Sequence, residues 1–413
     1  MRVKRIVILN GNHLCHNPRV IKEADCLAAV GFNVEVLGAW LNENLIARDR
    51  DLMSRQRFRY TPVVQLGVGN SLHGTLLRGQ RWLALKSKHW LGWETPDMLG
   101  YAVGDLLEAA RSRNADLYIA HSEPALWVAR ELARGGRRIG VDMEDWFSED
   151  LLPEVRRRRP RKLLHTLEAS VLSASAHRTC TSQAMSAALA TAYGCPKPLV
   201  IYNAFPWSDR VRLDGQLKDR RSRELPSIHW YSQSIGPGRG LEDLFAALCL
   251  LDTKAEVHLR GSLWAGYREW LDRLIPESWR ERVFLHAVVP NDELLSRIAE
   301  HDIGVSLDPS APHNRNLTVT NKILQYMQAG LAIVATSTLG QLEVAAQASA
   351  AVRLCSSGDA ADLAEKLTQL LTHPAALEEA KRASLAAARD RFCWEKTAPL
   401  LIASVERAVA SRI

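Results

Sequence analysis

The chain has 413 residues, 47% of them hydrophobic and 24% charged, which predicts a globular protein of about two domains because single cores stop growing near about 250–300 residues. The formal net charge of +7 favours an anionic partner, but no helix-turn-helix, RRM or zinc-finger pattern accompanies it, so we predict no nucleic-acid partner. No run of about 18 uncharged apolar residues predicts a membrane span, and the seven scattered cysteines form no C-x-x-C pair, which argues against a disulfide framework and a zinc site.

The first predicted element is a buried strand at RIVILN (5–10). Polar residues at 10–13 interrupt the apolar run too early for a signal peptide, so we expect a cytoplasmic protein. The Asn-Pro pair at 17–18 suits the start of a helix, Gly31 suits its end, and NVEVLG (33–38) is typical of the next strand. The N-terminus therefore predicts a βαβ unit.

Four more strands are predicted in the first half, and all but the last are followed by a helical pattern. They are DLYIA (116–120), RIGVDME (138–144), HRTCTS (177–182) and PLVIYN (198–203). This alternation predicts an open parallel sheet with helices on both faces.

Positive charge is concentrated in the stretches 48–59, 76–93 and 154–162, and the second of these also contains three tryptophans. Basic residues beside indole rings suit an anionic membrane surface. A solvated basic loop with its tryptophans in the core is the alternative, and both interpretations stay open at this point. On the membrane interpretation, the residues that meet anionic lipid are Arg156 to Arg159 and Lys162.

A polar, strongly charged segment at 209–226 predicts a linker, after which the alternation restarts. The predicted strands are SIHWYSQ (227–233), EVHLRG (256–261), RVFLHA (282–287), DIGVSL (302–307), LAIVAT (331–336) and AVRLC (351–355). We predict an N-terminal domain over 1–205, a linker over 206–226, a C-terminal domain over 227–390, and a C-terminal helix over 391–413 that packs back on the N-terminal domain. The fold class is α/β, with two doubly wound domains facing a central cleft, where such sheets bind ligands.

The second domain begins with a strand, a glycine-rich turn and a helix in the sequence HWYSQSIGPGRGLEDLFAAL. Gly236, Gly238 and Gly240 allow the backbone to approach a ligand closely, while Arg239 and the free N–H groups of the helix favour phosphate. The spacing matches neither G-x-G-x-x-G nor the P-loop. A plain connection between strand and helix is the alternative.

A second phosphate-binding feature is predicted in TVTNKILQYMQAG (318–330). A helix begins there near Thr320 or Asn321. Its free N–H groups, its dipole and Lys322 all favour an anion at the same place.

Several stretches, in this order along the chain, carry a family resemblance. They are HNPRVIKEADCLAAVGFNVEVL, YSQSIGPGRGLEDL, NKILQYMQAGLAIVAT followed by GQLE, and FCWEK. Together they resemble the bacterial family-four, or group 1, glycosyltransferases, which are nucleotide-sugar enzymes of the GT-B fold that build cell-surface polysaccharides. The resemblance covers nearly the whole chain. It implies two Rossmann-like domains, with a UDP- or GDP-sugar donor bound mainly by the C-terminal domain and an acceptor held mainly by the N-terminal domain.

The resemblance places the turn 236–240 near the donor diphosphate and gives Arg239 and Arg260 as its basic partners. Guanidinium groups match phosphate oxygens and stabilise the charge of a departing diphosphate. For Arg260, a strand-end arginine in solvent is the alternative. We expect no further cofactor and no metal, because Arg239, Lys322 and helix N-termini can neutralise the leaving group and no D-x-D motif stands in a fitting place.

One departure from the family concerns two glutamates eight positions apart, which usually contact the donor sugar and the ribose. Leu317 and Gln325 occupy the matching positions here. Gln325 can still hydrogen-bond ribose hydroxyls, and Glu343 offers another carboxylate near the following strand. The departure removes the basis for predicting a retaining or an inverting outcome.

On the acceptor side, the strand-end sequence YIAHSEPAL makes His121 the residue that the resemblance implies will meet the donor sugar. The next strand ends in VDMEDWFSED, where Asp142, Glu144 and Asp145 offer a base for the acceptor hydroxyl. Helix capping is the alternative for all four residues. The loop 10–13 is a further candidate for the acceptor side.

The predicted function is transfer of a sugar from a nucleotide diphosphate sugar to a lipid-linked or growing glycan, in the cytoplasm or at the inner face of the membrane. A nucleotide-sugar 2-epimerase of the same architecture is one alternative. A catalytically silent sugar-nucleotide-binding protein is another, and it fits the missing glutamates. A peripheral membrane module without enzymatic function leaves the twin sheets unexplained.

Overall fold

The chain forms two units, each built on one parallel sheet, in a computed structural model that describes residues 2–66 and 72–410. Contacts group residues 1–181, 185–201 and 398–413 in the first unit and residues 182–184 and 202–397 in the second. The segment 206–226, predicted as a linker, thus groups with the second unit. The exact domain boundaries stay a prediction.

The first unit has a seven-stranded sheet in the order β3-β2-β1-β4-β5-β6-β7, with every neighbouring pair parallel. Its strands are β1 (Arg5–Leu9), β2 (Asn33–Trp40), β3 (Arg59–Gln65), β4 (Leu117–Ala120), β5 (Ile139–Met143), β6 (His177–Cys180) and β7 (Leu199–Val200). From β1 the chain adds β2 and β3 on one side, and it then adds β4 to β7 on the other side. The carboxyl ends of β1 and β4 therefore form a topological switch point, where open α/β sheets bind ligands.

Within the described residues of this part of the chain, the helices are α1 (Pro18–Ala29), α2 (Glu43–Met53), α3 (Leu72–Leu91), α4 (Val103–Arg113), α5 (Glu123–Arg134), α6 (Pro153–Arg156), α7 (Arg161–Ala174) and α8 (Gln183–Tyr193). The start of α1 follows the sequence prediction, since the Asn17 side chain accepts a hydrogen bond from the Val20 N–H at 3.0 Å and Pro18 is the first helical residue. Strands and helices share a core of fully buried aliphatic side chains, among them Ile6, Ile8 and Val36.

The second unit has a six-stranded parallel sheet in the order β10-β9-β8-β11-β12-β13. Its strands are β8 (Ser227–Ile235), β9 (Glu256–Leu263), β10 (Val283–His286), β11 (Ile303–Ser306), β12 (Ala332–Thr336) and β13 (Val352–Cys355). Its helices are α9 (Leu241–Leu248), α10 (Arg268–Leu274), α11 (Asn291–Ile298), α12 (His313–Leu317), α13 (Asn321–Ala329), α14 (Leu339–Gln347), α15 (Ala360–Leu371), α16 (Pro374–Asp390) and the first residues of α17 (Trp394–Ala410). The switch point of this sheet lies between β8 and β11.

The prediction of an α/β protein with two doubly wound sheets is confirmed, and every predicted strand is present. Strand β3 and helix α3 are among the elements that the sequence analysis did not predict. Strand β3 lies at the sheet edge and contains Pro62, which weakens a strand pattern. Helix α3 carries its apolar residues on its exposed side as well as its buried side, so its sequence shows no simple amphipathic period.

The segment before β8 is packed against the sheet although its charges predicted a solvated linker. Arg220 is buried, and its guanidinium donates to the Asp302 carboxylate at 2.9 Å and to the Glu300 carbonyl at 2.9 Å. The Glu300 carboxylate in turn accepts from the N–H groups of Lys218 and Asp219. Buried charges of this kind are tolerated because each one is paired and hydrogen-bonded.

Four histidines line the sheet beside this segment: His229, His258, His286 and His301. The rings of His229 and His301 stack with centroids 4.5 Å apart, and both rings are buried. Burial, with the positive field of Arg220 and His286 added, lowers the pKa of His301 to about 4 even though Asp219 opposes the shift. His301 is therefore neutral at pH 7.

Within residues 2–66 and 72–410, no helix has both the length and the apolar content to cross a membrane.

Candidate functional site

The glycine-rich turn lies at the switch point of the second sheet. It joins β8 to α9, and β8 is the neighbour of β11. Gly240 has φ +79°, and a Cβ atom at this position would be 2.2 Å from the carbonyl oxygen of Leu307, the residue after β11. Glycine is therefore required at 240 for the turn to lie against the end of β11.

Two arginines flank this turn. The Arg239 guanidinium donates to the Ser232 hydroxyl at 2.9 Å, and the Arg315 guanidinium donates to the Gly238 carbonyl at 3.2 Å. Among the described residues, neither has a carboxylate at ion-pair distance. Two guanidiniums held together without a carboxylate form a site for an anion with several oxygens. Sequence reasoning missed Arg315, whose only signal was its position shortly before α13.

The start of α13 adds to the same site. Thr320 is the N-cap residue but makes no side-chain capping hydrogen bond, because its hydroxyl lies 2.9 Å from that of Ser306 at the end of β11. The first N–H groups of the helix thus lack a side-chain acceptor from Thr320. The Lys322 ammonium donates to both oxygens of Asp308, at 3.1 and 3.2 Å. Asp308, a second residue that sequence reasoning missed, follows β11 and fixes Lys322 at the switch point.

The neighbouring polar positions differ in accessibility. Asn321 is exposed, and its side-chain oxygen accepts from Asn203 at 2.9 Å. Gln325 is buried, and its amide oxygen accepts a hydrogen bond from the Tyr231 hydroxyl. Leu317, at the other position where the family has a glutamate, is also buried. Neither position offers a free carboxylate.

Glu343 and Arg260 are engaged elsewhere. The Glu343 carboxylate accepts from the N–H groups of Gln183 and Ala184, both at 3.0 Å, and these two residues group with its own unit. Burial raises its pKa, although these N–H groups oppose the shift. The buried Arg260 guanidinium donates to the Asp219 carboxylate and the Ala287 carbonyl. Arg260 therefore ties β9 to the segment before β8, and its assignment to the diphosphate stays a prediction.

His121 lies at the end of β4, at the switch point of the first sheet, and is fully buried. Its Nδ1 is 2.8 Å from Glu144 Oε1, and its Nε2 is 2.8 Å from Glu23 Oε2. Burial alone would lower the pKa of His121, but Glu23, Glu144 and Asp142 raise it to about 10. The ring is therefore an imidazolium at pH 7, able to donate a proton or a hydrogen bond but not to accept a proton.

A second ion pair completes the cluster around His121. The Arg19 guanidinium binds both oxygens of Asp142, at 2.7 and 3.1 Å, and both side chains are buried. Asn17 donates to Glu144 at 2.7 Å, while Asp145 is half-buried next to it. Glu144 is the more accessible of the two glutamates on His121, with a side chain 21% exposed against 2% for Glu23.

Sequence reasoning missed Arg19 and Glu23. The sequence pattern that could have indicated them is that these two charged residues, four positions apart, lie beside the apolar positions of α1. The predicted residues His121, Glu144 and Asp142 do come together. In the loop 10–13, by contrast, side chains hydrogen-bond to backbone groups of the protein. There, the Asn10 side chain donates to carbonyls of its own loop, and His13 Nε2 accepts from the N–H groups of Leu41 and Asn42.

Two buried groups in the described part of the chain bring potential metal ligands together: His13 with Cys15 and Asp49, and Glu23 with His121 and Asp142. In the first, both nitrogens of His13 are engaged, with Nδ1 2.7 Å from Asp49. In the second, Asp142 is bound at both oxygens by Arg19. Hydrogen bonds within the protein thus already engage His13 in the first group and Asp142 in the second.

Comparison with known proteins supports the family resemblance. Residues 231–373 match the family model of "Glycosyl transferases group 1". This range contains the glycine-rich turn, both flanking arginines and the start of α13. No curated protein sequence matches the chain significantly.

Solved structures share the architecture over nearly the full chain. Sucrose-phosphate synthase from Thermosynechococcus elongatus is 15% identical, with a TM-score of 0.72 over 98% of each chain. HepE of Anabaena, solved in complex with UDP, is 16% identical with a TM-score of 0.68, over 99% of this chain and 100% of that one. A UDP-GlcNAc 2-epimerase from Neisseria meningitidis, bound to UDP-GlcNAc, is 12% identical with a TM-score of 0.58, over 98% of this chain and 100% of that one. Residues 231–373 are therefore similar to the group 1 glycosyltransferases, and the two parallel sheets of the chain form a GT-B-like fold.

Proposed function

We propose that the enzyme transfers a hexose or related sugar from a nucleotide diphosphate sugar to a lipid-linked or growing glycan in the cytoplasm, as a step of cell-surface polysaccharide or glycoconjugate synthesis. The observation that carries the donor assignment is the pair Arg239 and Arg315, which flank a glycine turn at the switch point with no carboxylate partner in the described structure. A diphosphate supplies the several oxygens and the negative charge that such a pair binds.

The proposed chemistry breaks the bond between the anomeric carbon and the distal phosphate oxygen, and the electron pair stays on the diphosphate. An acceptor hydroxyl forms the new bond to the anomeric carbon and gives its proton to a base. Arg239, Arg315 and the first N–H groups of α13 would stabilise the charge that grows on the leaving diphosphate. Lys322 would join them by sharing its ammonium between Asp308 and phosphate.

On the acceptor side, Glu144 or Asp145 is the proposed base for the hydroxyl. Glu144 is partly exposed but engages the His121 imidazolium at 2.8 Å. Asp145, half-buried beside Glu144, is the other proposed base. His121 itself would donate to an oxygen of the donor sugar once the carboxylates around it rearrange.

We propose UDP as the nucleotide. Support comes from the solved structures of the same fold that hold UDP, among them HepE with UDP-glucose at 16% identity. Gln325 is the proposed contact to the ribose, since its amide group can hydrogen-bond a hydroxyl although it carries no charge.

The test is incubation of the purified enzyme with UDP-glucose or UDP-GlcNAc, with and without a lipid extract as acceptor, followed by detection of free UDP and of the sugar product. The proposal expects UDP release that depends on the extract and sugar incorporated into lipid. Conversion of UDP-GlcNAc to its C2 epimer without acceptor would overturn it in favour of an epimerase. Binding of UDP without turnover across a broad acceptor panel would overturn it in favour of a silent binding protein.

A further inference from the structure

Helix α3 in the first unit has an apolar stripe on its exposed side. Leu72, Leu76, Leu83 and Trp90 are 93%, 58%, 61% and 68% exposed. They are spaced four, seven and seven residues apart, so at 100° per residue they fall within a narrow arc of the helix. The buried residues of α3 are Gly74, Leu77 and Ala84, which lie roughly 100–180° around the helix from the stripe. The stripe is thus apolar surface that the unit itself leaves uncovered.

The surroundings of the stripe are basic and aromatic. Residues 72–91 contain no Asp or Glu. The Lys86 ammonium lies 5.8 Å from the ring centroid of Trp82 and 5.5 Å from that of Trp90, both exposed. Trp93, just beyond the helix, is 64% exposed. The tryptophans are therefore not core residues, which removes the alternative of a basic loop with buried indoles.

A second basic segment, 154–162, contacts the end of α3. The Lys88 ammonium donates to the Arg159 carbonyl, and Glu94 accepts from the Leu163 N–H at 2.8 Å. Within this segment Arg156 and Arg161 pair with Glu149, and Arg159 pairs with Glu123. Arg157, Arg158 and Lys162 are exposed and, within the described residues, have no carboxylate at ion-pair distance. Leu152 and Val155, beside them, are also about half exposed.

We propose that the exposed stripe of α3 and the basic segment 154–162 form one docking surface for an anionic lipid bilayer. Leucine side chains supply apolar area for the acyl boundary, indoles suit the headgroup level, and unpaired cations are attracted to anionic headgroups. The charge of the surface favours an anionic bilayer over a second copy of the chain, because a surface with many cations and few acids repels a copy of itself. The inference is independent of the donor proposal, since it concerns the first unit and no nucleotide.

The test is flotation of the full-length protein with vesicles of phosphatidylcholine alone or with about one third phosphatidylglycerol. The stripe variant is Leu76→Ser/Leu83→Ser/Trp90→Ser, and the charge variant is Arg157→Gln/Arg158→Gln/Lys162→Gln. The matched control is Val211→Ser/Leu250→Ser/Leu400→Ser, which removes three apolar side chains exposed by 87%, 58% and 50% elsewhere. Circular dichroism checks the fold of each variant, and all nine positions tolerate serine or glutamine because they are exposed.

The proposal expects the parent and the control to float with anionic but not neutral vesicles. It expects the stripe and charge variants each to lose at least about tenfold in partitioning, and the parent to detach in 1 M salt, where the Debye length falls to about 3 Å. Equal flotation with neutral vesicles, or none with anionic ones at low salt, would overturn it. Parent-like flotation of the stripe variant would overturn the role of α3. Concentration-dependent dimerisation that the stripe variant abolishes, seen by sedimentation velocity without vesicle binding, would assign the surface to a second copy instead.

Discussion

Arg239→Ala is the substitution that most sharply separates a donor site from a mere bend at the glycine-rich turn. In the structure, the Arg239 guanidinium donates one hydrogen bond, to the Ser232 hydroxyl, and the residue is exposed. Its removal leaves no buried group unpaired. We therefore expect an unchanged fold and a loss of stability below about 1 kcal/mol.

The expected loss in catalysis is larger than the loss in stability. A hydrogen bond to a charged group contributes roughly 1.5–3 kcal/mol, which corresponds to about a 10- to 150-fold change in kcat/KM for the donor. Because charge on the diphosphate grows in the transition state, kcat should fall together with donor affinity. Arg239→Lys should lie between the parent and the alanine variant, since lysine keeps the charge but loses the planar fork.

The assay is steady-state release of UDP from UDP-glucose at saturating lipid extract, with donor concentration varied. Arg389→Ala is the control, because Arg389 lies in the same unit, is 60% exposed and, among residues 2–66 and 72–410, forms an ion pair with no residue but its neighbour Asp390. An Arg239→Ala enzyme with the parent's kcat and donor KM would refute the assignment, provided that its melting temperature is unchanged.

Three further predictions concern the scaffold. Gly240→Ala should lower the free energy of unfolding by about 1–3 kcal/mol and abolish nucleotide binding, because the new Cβ would lie 2.2 Å from the Leu307 carbonyl oxygen. An unchanged melting temperature in differential scanning calorimetry would contradict this. The pKa of His301 is about 4 in the folded chain and near 6.5 in the unfolded chain, so the unfolded state binds more protons as pH falls through this range and the folded state loses stability. Urea unfolding should show a free energy of unfolding about 2 kcal/mol lower at pH 5 than at pH 7. His301→Gln should reduce this pH dependence of the free energy of unfolding. His121→Gln should lower the free energy of unfolding by several kcal/mol at pH 7, because it leaves Glu23 without its cation. The difference in stability between parent and variant should shrink as pH rises toward the folded pKa of His121, about 10. A difference that does not change with pH would argue against an imidazolium at this position.

Much of the scaffold follows from local patterns. Most strands of the two sheets are short apolar runs, and the alternation of such runs with helices leaves few topologies open. The glycine-rich turn could be predicted as a candidate phosphate site because Gly240 and Arg239 lie between a strand and a helix. The helix start at Asn321 was readable from the cap and the cation that follows it. These are features that neighbouring residues determine.

The features that could not be predicted depend on long-range pairing. Nothing near Arg220 in the sequence shows that Asp302 and Glu300 will pair with it and bury it. Arg260 looked like a phosphate ligand because its partner Asp219 is distant in sequence. Helix α3 was hidden because a helix that is apolar on two sides lacks the single-faced period on which helix prediction rests. Arg315 needed the fold to bring it to the Gly238 carbonyl.

The central claim is that the switch point of the second sheet binds the diphosphate of a nucleotide sugar, and calorimetric titration of the parent enzyme with uridine, UMP, UDP and UDP-glucose tests it most directly. If Arg239, Arg315, Lys322 and the start of α13 hold the diphosphate, affinity should rise from uridine through UMP to UDP. The double variant Arg239→Ala/Lys322→Ala should bind UDP no more tightly than the parent binds UMP. Equal affinities of the parent for uridine and UDP, or the absence of any heat with UDP and UDP-glucose, would contradict the claim.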